Sequence, residues 1–185
     1  MKKFLILCLT FIITSVSVSA YTTPRWKAMP IRVYIPQNRG NYTVLMQKAF
    51  SAWQTKSQEI VRFKYVTKKS EADIYVSFVD HVNGCGSSDA VGCTYYSVNP
   101  KGYFTQNYIE IATKEISVVR QNGKIYKKEK GRTKNHLYGV MIHEVGHALG
   151  LDHSNNSNSI MYPYDLDKIQ YVTNVDLKLL KNKYR

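Results

Sequence analysis

Apolar residues recur along the chain at two spacings, and each spacing predicts an element. Ile31, Val33 and Ile35 alternate with Arg32 and Tyr34 until Pro36, which predicts a strand. Leu45, Met46, Ala49, Phe50 and Trp53 fall on one face of a helix over Thr43 to Gln54. Val61, Phe63 and Tyr65 alternate with Arg62, Lys64 and Val66, a second strand. Ile74, Val76 and Phe78 alternate with Tyr75, Ser77 and Val79, a third. Asp80 to Pro100 is rich in Gly, Ser and Asn and predicts a long loop; Tyr108 to Ala112 predicts a fourth short strand. Ile116 to Arg120 and Lys124 to Lys128 flank Asn122-Gly123, a hairpin signal because a type I′ turn needs positive φ at both central positions. Leu137 to Leu149 predicts a helix stopped by Gly150. A polar loop over Ser154 to Ser159 precedes a terminal helix over Thr173 to Tyr184. Thr173 and Asp176 open that helix as a capping box, and Val175, Leu179 and Leu180 form its apolar stripe.

The N-terminus has a different pattern. Lys2 and Lys3 precede an apolar run from Phe4 to Ile13, and Val18-Ser19-Ala20 forms a small-residue cleavage site. This is the layout of a secretory signal peptide over residues 1–20, with localisation outside the cell or in a periplasm or envelope. An uncleaved anchor is the alternative, but the run falls short of the roughly 20 apolar residues a membrane span needs. Residues 21–185 read as one domain, with no transmembrane segment, repeat or low-complexity tract. The chain is read as a monomer. Two cysteines outlast the leader, Cys85 and Cys93, and export favours their pairing in a small ring, stabilising by about 2.5 kcal/mol; a free thiolate masking a metal is the alternative.

Charge changes the picture only in part. The 185 residues carry a net charge of +13, which raises nucleic-acid or anionic-surface binding as a first guess. Two of those charges leave with the leader. Arg120, Lys124, Lys127, Lys128, Lys130, Arg132 and Lys134 cluster on the predicted hairpin of residues 116–134. That cluster reads as a solvated face, or as a contact with an anionic surface or acidic substrate. No nucleic-acid-binding motif accompanies it.

The segment His143-Glu144-Val145-Gly146-His147-Ala148-Leu149-Gly150-Leu151-Asp152-His153 carries the chemistry. His143 and His147, four apart on a helix, project from one face and suit two ligands of one zinc ion. Gly150 can reverse the chain and return His153 as a third ligand. Three protein nitrogens leave one position open, the mark of a catalytic zinc. Glu144 is placed beside the metal as general base. His81 and His136 read as ordinary surface residues rather than ligands.

These motifs resemble the metzincin metallopeptidases, and within them the matrixins. Trp26 to Ile35 resembles the family's first strand, Ala49 to Trp53 its first helix, and Ala72 to Phe78 its third strand. The resemblance implies an α+β fold: a twisted mixed sheet of about five strands packed with two long helices, and a C-terminal helix after the Met-turn. It implies that Met161 forms an apolar floor under the metal, that Asp176 braces this turn, and that Tyr162, Pro163 and Tyr164 wall a specificity pocket.

The chain also departs from the family pattern. The loop that binds structural zinc and calcium is not recognisable in residues 80–100, where Asp80, His81 and Asp89 are the only candidate ligands. One catalytic zinc is expected and calcium is left open. No inhibitory pro-domain is recognised, and the 116–134 hairpin looks like an insertion. The expected function is a secreted zinc endopeptidase acting on extended polypeptides, with residues 107–112 as the candidate edge strand for substrate. A catalytically silent zinc protein that binds polyanions through the basic hairpin is the alternative.

Overall fold

The computed structural model describes residues 24–83, 85, 90–164 and 168–184; the predicted signal peptide and Asp89 lie outside them. Five strands form the main sheet: β1 (Ile31–Tyr34), β2 (Phe63–Tyr65), β3 (Ile74–Val79), β4 (Gly92–Val98) and β5 (Phe104–Ala112), in the order β2-β1-β3-β5-β4. All neighbours run parallel except β4, which is antiparallel to β5. Helix α1 (Asn41–Lys56) packs on α2 (Lys134–Ala148), and α3 (Asn174–Tyr184) closes the fold. A separate two-stranded sheet joins β6 (Lys114–Gln121) to β7 (Lys124–Gly131). Asn122 and Gly123 both take positive φ, 51° and 72°, as the turn chemistry requires.

Burial follows the hydrophobic periods. Ile31, Val33 and Ile35 of the first strand region, and Met46, Ala49, Phe50 and Trp53 of α1, are all buried. The Trp53 indole donates to the Ile142 carbonyl at 2.8 Å and ties α1 to the middle of α2. On the other side of the sheet the register aligns Tyr34, Tyr75, Tyr108 and Tyr95 across four strands. The Tyr75 and Tyr108 rings stack at 4.5 Å and Lys69 caps the row 4.1 Å from Tyr75.

The structure corrects several expectations. Residues 80–100 are not all loop, because β4 occupies 92–98. Thr94, Tyr95, Tyr96 and Val98 favour a strand, but no period-two apolar pattern marks it among the flanking Gly, Ser and Asn residues, and its partner β5 stabilises it. Residues 107–112 are not an edge: β5 lies between β3 and β4, and β4 is the edge. The second strand shrinks to three residues, while β5 starts at Phe104. Helix α2 starts at Lys134, because Thr133 caps it by accepting from the His136 backbone N–H. In α3 the inward face is Asp176, Leu177 and Leu180, whereas Leu179 is 39% exposed. The arc formed by Asp176, Leu180 and Leu177 is centred roughly 110° from Leu179, which leaves Leu179 on its flank.

Candidate metal centre

The C-terminal end of α2 is built to reverse the chain. Gly150 has φ 86°, its N–H bonds the His147 carbonyl at 2.8 Å, and the Leu151 N–H bonds the Gly146 carbonyl at 3.0 Å. This is a Schellman ending, and a side chain at Gly150 would also collide with the Pro24 carbonyl. The helix's last carbonyls are satisfied by distant side chains. Trp26 Nε1 and Asn107 Nδ2 both donate to Ala148, at 2.8 and 2.9 Å, and the Tyr184 hydroxyl donates to Leu149 at 2.9 Å.

That turn brings His153 back to His143 and His147. One nitrogen from each ring lies within 4.8 Å of the others, and among the described residues this is the one such group of three or more metal-ligating side chains. His143 Nδ1 is 2.7 Å from the Ile160 carbonyl and His147 Nδ1 is 2.7 Å from the Leu151 carbonyl. A carbonyl only accepts, so both Nδ1 atoms carry the proton. Both Nε2 atoms therefore present lone pairs, and they face each other at 3.0 Å. Two lone pairs at that distance repel unless a cation lies between them. Zinc–nitrogen bonds of about 2.0–2.1 Å at tetrahedral angles place ligand nitrogens roughly 3.3 Å apart. The donor set therefore fits zinc. Burial pushes the His143 imidazole down to about 3 and His147 to about 4, so both stay neutral and able to ligate.

Beneath these rings lies the turn at 159–161. A Cβ at Gly146 would fall 2.3 Å from Met161 Sδ, so the absent side chain lets the sulfur pack directly against the helix between His143 and His147. Asp176, fully buried, holds the turn from α3. Its carboxylate accepts from the Ser159 hydroxyl, from the Ile160 N–H at 3.2 Å, and from the Thr173 N–H and hydroxyl at 2.8 and 2.6 Å. The capping aspartate is thus also the brace of the turn whose Ile160 carbonyl orients His143.

Glu144 turns toward the edge strand. The Thr94 hydroxyl lies 2.7 Å from Glu144 Oε2, and a Cβ at Gly92 would fall 2.6 Å from Glu144 Oε1. Burial pushes this carboxyl up to about 7, against the downward pull of the Thr94 hydrogen bond. Glu144 and the three histidines line one cleft of about 450 Å³. The cleft is also walled by Gly92, Thr94 and Tyr96 of β4, and by Pro163 and Tyr164. Tyr162 instead lines a smaller cavity of about 30 Å³ with Tyr164 and Ile160. Cys85 and Cys93 form a disulfide with Cα atoms 5.8 Å apart, at the start of β4 beside Gly92. His81 pairs with Glu129 at 3.0 Å and Asp80 with Lys114 at 2.7 Å, at the base of the hairpin. Sequence reasoning missed Gly92, Thr94 and Asn107, which meet α2 only through the sheet pairing.

Fold and site together define a metzincin-like metal centre: a three-histidine cluster on a helix and its return turn, a buried glutamate, and a methionine floor. Residues 28–185 match the matrixin family, Peptidase_M10. The chain belongs to the matrixin family of metallopeptidases. It is 30% identical over 145 residues to a macrophage metalloelastase of Rattus norvegicus, covering 75% of this chain and 27% of that protein. It is 25% identical over 150 residues to karilysin of Tannerella forsythia, covering 76% and 29%. The chain thus spans a little over a quarter of the length of these two relatives. In fold it is similar to the solved structure of myroilysin, with TM-score 0.50 and 11% identity over 83% of this chain and 79% of that one.

Proposed function

We propose that this protein is an exported zinc endopeptidase that cleaves extended polypeptides, acting as a monomer. The observation that carries this reading is the placement of Glu144 in the same cleft as three convergent imidazoles, two of them fixed with Nε2 facing inward. His143, His147 and His153 would hold the metal. Bound there, zinc supplies a Lewis acid for the scissile carbonyl and acidifies water.

The chain's own groups do the rest. Glu144 accepts the proton of the attacking water and returns it to the leaving amine, and a carboxyl poised near neutral pH suits both transfers. Thr94 holds one carboxylate oxygen, which fixes the direction of the other. Substrate lies along β4, the edge strand beside the cleft, and adds to the sheet through main-chain hydrogen bonds. Pro163 and Tyr164 shape the side-chain subsite where they wall the cleft, and Tyr162 supports Tyr164 with rings 5.6 Å apart. Export rests on the leader at residues 1–20. Among the described residues no helix is long and apolar enough to cross a membrane.

The test is the Glu144→Ala variant. It should bind zinc as the parent does and fail to cleave casein, and chelation of the parent should abolish cleavage that zinc restores. Full activity in Glu144→Ala would refute the mechanism.

A further inference from the structure

Among the described residues the β6–β7 hairpin pairs with no strand of the main sheet, and every residue of β7 is exposed. Its base is electrostatically closed. Glu115 pairs with Lys130 at 2.9 Å and Arg132 at 3.4 Å, and Glu129 pairs with His81 and Lys114 at 3.0 and 3.4 Å. Its outer part is different. Residues 116–128 contain no acid but include Arg120, Lys124, Lys127 and Lys128. The same stretch exposes Val118 at 64%, Ile125 at 63%, Ile116 at 54% and Tyr126 at 49%.

The register distributes these groups over both faces. Val118 opposes Lys127 and Arg120 opposes Ile125 on one face; Val119 opposes Tyr126 and Ser117 opposes Lys128 on the other. An amphipathic ribbon meant for a protein groove would segregate apolar from charged residues by face. Here polarity changes along the length: paired charges at the base, then a middle stretch where Ile116, Val118, Val119, Ile125 and Tyr126 mix with cations on both faces, then a polar turn from Gln121 to Lys124. A partner that offers anionic groups and apolar contact to both faces of that middle stretch meets the pattern, and a lipid headgroup layer does so. Polyanions such as heparin would match the cations but give Val118 and Ile125 nothing to bury against.

We propose that the hairpin docks the protein on an anionic phospholipid bilayer, its outer apolar side chains entering the headgroup region while Arg120, Lys124, Lys127 and Lys128 pair with lipid phosphates. This inference is independent of catalysis. The cations supply attraction near an anionic surface, and Tyr126 suits the interface.

The purified protein should co-sediment with phosphatidylglycerol-containing vesicles and not with pure phosphatidylcholine vesicles. Lys124→Gln, Lys127→Gln and Lys128→Gln together should weaken that binding roughly a hundredfold. Val118→Ser with Ile125→Ser should weaken it about tenfold or more, and leave elution from heparin and from polyglutamate unchanged. In a Val118→Trp variant, emission should shift to the blue on anionic vesicles. Unchanged melting temperature and small-peptide cleavage in these variants report an intact body. Three results would overturn the proposal: equal binding to both vesicle types, wild-type vesicle binding by the Val118→Ser, Ile125→Ser variant, or no shift in Val118→Trp. The second would make the hairpin a purely ionic contact for an acidic polymer or protein.

Discussion

Thr94 Oγ1 stands 2.7 Å from Glu144 Oε2 and 3.0 Å from the Glu144 carbonyl oxygen, so a residue of the edge strand β4 holds the carboxylate of α2. The strand proposed to receive substrate and the group proposed to move the proton are thereby coupled through one hydroxyl. Thr94→Val keeps the shape and removes the hydrogen bond. It should lower kcat roughly ten- to hundredfold with KM and zinc content little changed, and Thr94→Ser should recover most of the loss. Steady-state kinetics with metal analysis read both.

Gly146 faces the Met161 sulfur without room for a Cβ. Gly146→Ala should force the turn away from α2 and cost about 1–3 kcal/mol. Because Ile160 on that turn orients His143, the same variant should release zinc to a chelator faster than the parent. Thermal unfolding and chelator kinetics would measure the two effects.

Asp176 accepts from four donors in a fully buried setting. Asp176→Ala leaves those donors unpaired and should cost about 3 kcal/mol or more. Asp176→Asn, which keeps an acceptor, should cost less. Denaturant unfolding of the zinc-loaded protein gives the comparison.

The metal-free protein should lose stability on acidification. His143 and His147 have folded-state values near 3 and 4, below the ordinary 6.5, so the unfolded chain takes up their protons first as pH falls below about 6.5. Glu144, raised to about 7, opposes this between its ordinary value and 7, but it is one group against two. The melting temperature of chelated protein should therefore fall from pH 7 to pH 5 and continue falling below. A flat or rising profile would contradict the assignment of neutral, buried imidazoles.

The convergence of His143, His147 and His153 was readable from sequence because its geometry is local. A spacing of four on a helix, and a glycine that ends it, place three histidines without reference to the sheet. The sheet's extent was only half readable. Strands β1 and β3 carry buried apolar residues at period two, whereas in β4 Tyr96 and Val98 are exposed and Cys93 is the one buried residue, so no alternation marks the strand. Its identity depends on pairing with β5, a contact that leaves no local pattern. The same gap concealed Thr94 and Gly92, and it misplaced the edge at residues 107–112. The terminal helix shows the converse. Thr173 and Asp176 announced its start, but the stripe expected from Leu179 failed because Leu177, not Leu179, turns inward beside Leu180 and Asp176, a rotation that packing and not the local period sets.

The end of α2 also has a consequence for the order of assembly. Its carbonyls are met by Trp26 near one end of the described chain, by Asn107 in mid-sheet and by Tyr184 near the other. Arg25 further bonds the Lys183 carbonyl at 2.8 Å, a contact across 158 positions. The turn that returns His153 is therefore locked only when segments far apart in synthesis have met. A nascent chain that has exposed only the histidine helix lacks its lock. On this architecture, the convergence of the three histidines marks a finished fold, and the site is the last part of the molecule to be set.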